Sequence, residues 1–270
     1  MTKKYGLFLF IVSVLIVSPV VLYDVQAKRE KVPSPSSPST YTDPVTGMGF
    51  VLVKGGCYRM GNTFDNGGFD EKPVHEVCLD DFYMGTYETT QRQWKAVMGN
   101  NPSNFWFWGC NRPVEQVSWN DVQEFIRILN RRTGKNFRLP TETEWEYAAR
   151  SGGKREKYAG TSNDNELRDF AWFNANSGGK THPVGRKRPN GLGLYDMAGN
   201  VEEWVADWYD KDYYRTSPRK NPAGPKRGET KATRGGTCFS HLRTERVTQR
   251  HIVPPDYSDI FIGFRLAFSA

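Results

Sequence analysis

The first apolar run of the chain, Leu7 to Tyr23, follows Lys3 and Lys4 and ends just before Val25-Gln26-Ala27. A basic start, an apolar stretch and a small-x-small triplet together predict a secretory signal over residues 1–27. The run is also long enough to stay in place as an uncleaved signal anchor. Residues 28–47 are rich in Pro and Ser at their start and read as a flexible stalk, with order beginning near Met48. Gly49-Phe50-Val51-Leu52-Val53 is an apolar run suited to a buried strand. Gly55-Gly56 breaks it, Cys57-Tyr58-Arg59-Met60 resumes it, and residues 61–72 form a polar loop. Helical spacing then takes over. Thr90 stands at a cap position ahead of Trp94, Val97 and Met98. From Asn120 to Arg132, Asn120 reads as the cap, Val122, Phe125, Ile126 and Leu129 recur at three- and four-residue spacing, and Gly134 stops the helix. A shorter helix is predicted from Thr141 to Arg150, where Thr141 and Glu144 have capping-box spacing. Beyond Arg150 the pattern breaks into turns and short strands. The chain predicts a mixed α+β domain with a high loop fraction.

Composition sharpens this picture. With 26 Gly and 8 Trp among 270 residues, and 14% aromatics, much of the backbone should be irregular, with large rings plugging the core. That excludes a helical bundle. Residues 48–270 suffice for one large single-core domain. The net charge is +7, but the basic residues are scattered and Arg186-Lys187-Arg188 is their longest run. No basic stripe interleaved with aromatics is present, so nucleic acid is excluded as a partner. The export signal places the body outside the cytoplasm, as a periplasmic, cell-surface or secreted protein. Its four cysteines then lie in a disulfide-permissive compartment. Cys57 and Cys78 each sit in a strand-like run and flank a Gly/Asn-rich turn region, so they are the expected pair. Cys110 and Cys238 pair with each other or stay free.

Several segments, read in order, carry a family resemblance. They are Phe50 to Gly61, Glu71-Lys72-Pro73-Val74-His75-Glu76-Val77, Pro113-Val114-Glu115-Gln116-Val117-Ser118-Trp119, Arg138-Leu139-Pro140-Thr141-Glu142, Gly199-Asn200-Val201-Glu202-Glu203-Trp204, Arg234-Gly235-Gly236-Thr237 and Gly263-Phe264-Arg265-Leu266. This series resembles the formylglycine-generating enzyme (sulfatase-modifying factor) family over residues 48–268. The resemblance implies a loop-rich C-type-lectin-like α+β fold of low regular secondary structure. It implies that Glu142, Glu144 and Trp145 organise the core rather than react. It also implies a structural calcium ion at Asp196, Gly199, Val201 and Glu203, since a tight Gly-containing turn can offer hard oxygen donors.

The family's catalytic members oxidise a substrate cysteine with copper held by two cysteines shortly after the Gly-Gly motif. Those positions fall here on Ser240 and Glu245, with Cys238 two residues too early. Soft thiolates hold Cu(I), so no copper is expected. Relatives with an iron ion use three histidines; His75, His182, His241 and His251 contain no HxxxH pair. What remains is a binding face. Residues 238–261 lie between two family motifs and carry Phe239, His241, Arg243, His251, Ile252, Tyr257, Ile260 and Phe261. Exposed aromatics with Arg and His suit recognition of a protein or glycan at the cell surface. The segment also resembles the variable proteins of diversity-generating retroelements, which rewrite Asn-type codons within a constant frame. Glu245 and Gln249 do not fit such codons and belong to the frame. The alternative is a formylglycine-generating oxidase acting on a cysteine of a target protein, and membrane contact is expected only through an uncleaved N-terminal anchor.

Overall fold

The computed structural model describes residues 1, 2 and 40–270. The expected signal and most of the expected stalk lie outside the described residues. Ten short strands and four helices make up the domain: β1 Thr40–Thr42, β2 Gly49–Val53, β3 Gly56–Met60, β4 His75–Leu79, β5 Phe82–Gly85, α1 Gln91–Met98, α2 Trp119–Thr133, α3 Glu142–Ala149, α4 Leu167–Phe170, β6 Glu202–Trp208, β7 Lys231–Arg234, β8 His251–Val253, β9 Ile262–Phe264 and β10 Ala267–Ser269. One antiparallel sheet has the order β1-β2-β5-β10, a second is the β3-β4 hairpin, and a third has the order β8-β7-β6-β9. In the third sheet β6 and β9 run parallel. Thr40–Thr42, which the sequence assigns to the stalk, instead pairs with β2, Tyr41 opposite Phe50.

Local chemistry sets the helix ends. Thr90 and Thr141 cap α1 and α3 through capping boxes with Gln93 and Glu144. The cap of α2 is Ser118, not Asn120. Its hydroxyl accepts from the Asp121 N–H while Asp121 accepts from the Ser118 N–H, and that reciprocal pair starts the helix two residues earlier than expected. Gly134 ends α2 at φ 69°, a left-handed position that Gly takes without strain. Cys57 and Cys78 face each other across β3 and β4 and are disulfide-bonded, while Cys110 is free and exposed and Cys238 is free and buried.

The core has two parts. Phe50, Trp94, Phe125, Phe137, Phe264 and Phe268 pack beneath α1 and α2. Tyr58, Met60, Trp145, Tyr158 and Val205 pack around α3. The second part is threaded by buried ion pairs. Arg234 on β7 donates to Glu146 at 2.6 Å and to Glu142 at 3.2 Å. Arg150 donates to the other oxygen of Glu146 at 2.9 Å, and Arg250 to Glu142 at 2.7 Å. Nearby, Arg265 forks onto Glu203, which also accepts the Trp145 indole N–H at 2.9 Å. Burial pushes the Glu146 carboxyl up, but the Arg150 and Arg234 charges outweigh it and hold it below its usual value. Glu146→Ala would leave two buried guanidinium groups short of a partner. We predict a loss of about 3–5 kcal/mol in unfolding free energy by urea titration; a loss under about 1 kcal/mol would show that the pairs do not hold the fold.

Candidate functional site

The segment from Arg234 to Ile262 begins with a forced turn. Gly235 and Gly236 adopt φ 105° and 72°, and a Cβ on Gly236 would stand 2.7 Å from Glu245 Oε1. Only glycine allows that close approach. The chain then doubles back over the position of Glu245. Thr237 donates its N–H to Ser240 Oγ at 2.9 Å, and Ser240 accepts the Asn174 N–H on its carbonyl, so Ser240 builds the turn. Cys238 is fully buried, and burial above all pushes its thiol up to about 12. Such a thiol stays protonated at neutral pH.

Glu245 is wholly buried, and neither carboxyl oxygen has a hydrogen-bond partner. The N–H groups of Gly199 and Thr237 face it but donate to Gly235 O and Ser240 Oγ. Burial therefore pushes this carboxyl well above its ordinary 4.5 and favours its neutral form.

The predicted binding residues divide by exposure. Phe239, Ile252 and Tyr257 are 42%, 55% and 47% exposed, and His241 and Arg243 are also exposed. His251, Ile260 and Phe261 are half-buried. Phe239 and Phe261 meet edge to face at 4.6 Å. His241 lines a cavity of about 620 Å³ with Asp164, Asn165, Arg168, Phe173 and Asn174. His251 is hydrogen-bonded to Glu202, and Tyr257 donates to Asp259 at 2.7 Å. The expected frame position Gln249 accepts from Arg246, which is itself buried against Glu71 at 2.6 Å. Val253 on β8 is core, although it lies in the same segment. Sequence reasoning missed the polar wall of the cavity, and its only trace there is the dense Asn/Asp run at 163–165.

At the expected calcium turn, Asp196, Gly199 and Asn200 all have positive φ. Asp196 accepts the Gly185 N–H on Oδ2, while its Oδ1 is buried without a partner. Burial pushes this carboxyl up to about 6. Glu88 sits beneath the turn, accepting from Asn200 Nδ2 at 2.6 Å and from Val201 N–H at 3.2 Å. The donor set thus offers a hard cation one free oxygen on Asp196, while both oxygens of Glu203 already carry Arg265 or Trp145. Among the described residues, no group of three or more His, Cys, Asp and Glu is spaced to hold a metal by itself.

Residues 36–270 match the sulfatase-modifying factor enzyme 1-like domain, and the chain belongs to that family. It is 34% identical over 226 residues to the chaperone protein LppX of Paenibacillus barcinonensis, covering 64% of this chain and 76% of LppX. It is 31% identical, over an alignment of 306 positions, to the formylglycine-generating enzyme of Streptomyces coelicolor, covering 88% of this chain and 96% of that enzyme. Among solved structures it is similar to Treponema denticola variable protein 1, with a TM-score of 0.76 and 32% identity over 88% of this chain and 100% of that one. The fold is the loop-rich C-type-lectin-like fold that the motifs imply.

Glu245 supplies a prediction with a definite sign. A carboxyl whose folded pKa is raised favours the folded state below its unfolded pKa, and that advantage is lost as pH rises toward the folded value. Glu245→Gln removes the titration. The variant should match the parent near pH 4.5 and become progressively more stable than it as pH rises, by at most about 1.4 kcal/mol per pH unit. A stability difference that stays flat across this range in thermal melts would mean that Glu245 is ionised and partnered.

Proposed function

We propose that this family member is an exported, non-catalytic ligand-binding module whose binding face is carried by residues 238–261. One observation carries the reading: the two positions where the oxidases hold copper contain a turn-building Ser240 and a buried, neutral Glu245. A carboxyl and a hydroxyl do not replace two soft thiolates. Cys238 is one thiol, protonated and sealed from solvent. By contrast, Phe239, His241, Arg243, Ile252 and Tyr257 are presented to solvent. Rings with Arg and His fit a protein or glycan ligand, and the polar cavity beside His241 suits a glycan's hydroxyl groups.

The likeness to a protein named as variable supports a further reading. Here the exposed positions change between copies while Glu245 and Gln249 stay fixed. A reverse-transcriptase gene beside this one, with a near-copy of the segment, is the observation that tests it.

The oxidase reading is tested directly. The reduced protein should bind no stoichiometric copper and convert no Cys-x-Pro-x-Arg peptide to the aldehyde. Copper at one per chain together with aldehyde product would make this an enzyme with relocated ligands.

Calcium is the proposed ion at the turn of Asp196, Gly199, Val201 and Glu203; the unpartnered Asp196 Oδ1 favours it, whereas Glu203 would have to share oxygens already bonded to Arg265 and Trp145. Calcium at about 100 times its Kd would stabilise the fold by about 2.7 kcal/mol, a rise of several degrees in Tm over the chelated protein. Asp196→Ala should abolish that rise. An equal rise in the variant would place the ion elsewhere.

A further inference from the structure

We propose that the aromatic turn Trp106–Trp108 is a second interaction surface, one that docks the domain on an anionic lipid layer. The turn is a single 3-10 turn in which Trp106, Phe107 and Trp108 are 64%, 58% and 44% exposed. Three adjoining large rings in water form an apolar patch of a kind that soluble domains rarely leave uncovered.

The turn is held in place. Phe105 is buried beneath it, and the N–H groups of Asn104 and Phe105 donate to the two oxygens of Glu115 at 3.0 and 2.9 Å. Phe107 packs on Trp108 with ring centres 4.0 Å apart, and on Trp106 at 5.7 Å. The rings are therefore displayed by a fixed base.

Two stretches of chain beside the turn are one-signed. Residues 89–114 hold Arg92, Lys95 and Arg112 and no Asp or Glu; residues 170–195 hold Lys180, Arg186, Lys187 and Arg188 and again no acid before Asp196. The two stretches meet where Val184 N–H donates to Asn111 O at 3.0 Å and where Lys180 Nζ lies 5.2 Å over the Trp108 ring. Arg92 and Lys95 share a shallow cavity of about 610 Å³ with Trp106 and Cys110. Arg112 is buried, and Lys187 faces Asp169. Among the described residues none of the seven cations is in an ion pair, whereas Arg and Lys elsewhere are paired repeatedly.

Aromatic rings flanked by unpaired cations match the chemistry of a lipid headgroup layer, where Trp sits at the interface and cations meet anionic lipids. The three rings are exposed side by side, and the cations beside them complement an anionic layer. This contact is separate from the N-terminal apolar run, where the sequence alone expects membrane association.

Cys110 makes the test specific, because it is exposed beside the turn while Cys238 is buried and Cys57 and Cys78 are bonded. The full chain labelled on Cys110 with an environment-sensitive fluorophore is mixed with vesicles. Equal parts of phosphatidylcholine and phosphatidylglycerol should shift the emission to the blue; phosphatidylcholine alone should not. The triple variant Trp106→Ser, Phe107→Ser, Trp108→Ser, with Tm unchanged, should lose at least half of the shift, and so should the double variant Arg92→Glu, Lys95→Glu. Absence of a shift on the mixed vesicles overturns the proposal, as does an equal shift on phosphatidylcholine. Retention of the shift by the triple variant would assign it to the N-terminal run. An equal shift with soluble dextran sulfate would make the partner a polyanion rather than a lipid surface.

Discussion

Arg234, buried between Glu142 and Glu146, is the interaction around which the domain is arranged. Its guanidinium joins β7 to α3, and Arg250 reaches the same Glu142 from the segment before β8. Arg150 closes the set on Glu146, and its Nη2 also donates to Gly61 O at 2.9 Å. A fold with so much irregular backbone has few ladders to decide which loops meet. Directed, charge-assisted hydrogen bonds supply that choice. Pairs buried this deeply add modestly to net stability, since desolvation offsets much of their attraction, yet breaking one strands a charge. They act mainly on specificity. Several of the family motifs supply parts of this frame: Glu142 and Glu146 on α3, Arg234 before the two glycines, and Glu203 with Arg265.

The same frame explains how one segment can be both fixed and exposed. Arg246 and Arg250 pin it to Glu71 and Glu142, and Val253 anchors β8 in the core. Around these anchors the side chains of Phe239, His241, Arg243 and Ile252 are exposed to solvent. Changes at those positions do not touch the buried pairs, so recognition can vary while the fold persists. That separation is the physical basis for placing a binding face on this segment.

Much of this was legible along the chain because its signals are local. The boxes at Thr90 and Thr141, the stop at Gly134 and the pairing of Cys57 with Cys78 each rest on residues close in sequence or on adjoining strands. What was not legible depends on distant contacts. Ser118 wins over Asn120 because Asp121 answers it reciprocally, which one-sided spacing does not reveal. Thr40–Thr42 is a strand only because β2 lies open beside it, and a three-residue segment carries no period of its own. The parallel pairing of β6 with β9 joins residues about sixty apart in sequence. The exposure of Trp106–Trp108 ran against the default that large rings are core.

Glu245 shows how the family's fold and its chemistry come apart. The Gly235-Gly236 turn still brings the chain close over this position, and Gly236 leaves no room for a Cβ. A carboxylate placed there would be a buried, unpaired charge, so the protein keeps the proton instead. A carboxyl is not a soft metal ligand. On the proposed reading no copper is held here, and the oxidases' constraints on the surrounding residues do not apply. The surface above it is then free to be shaped by binding, because a site, not a fold, carries function.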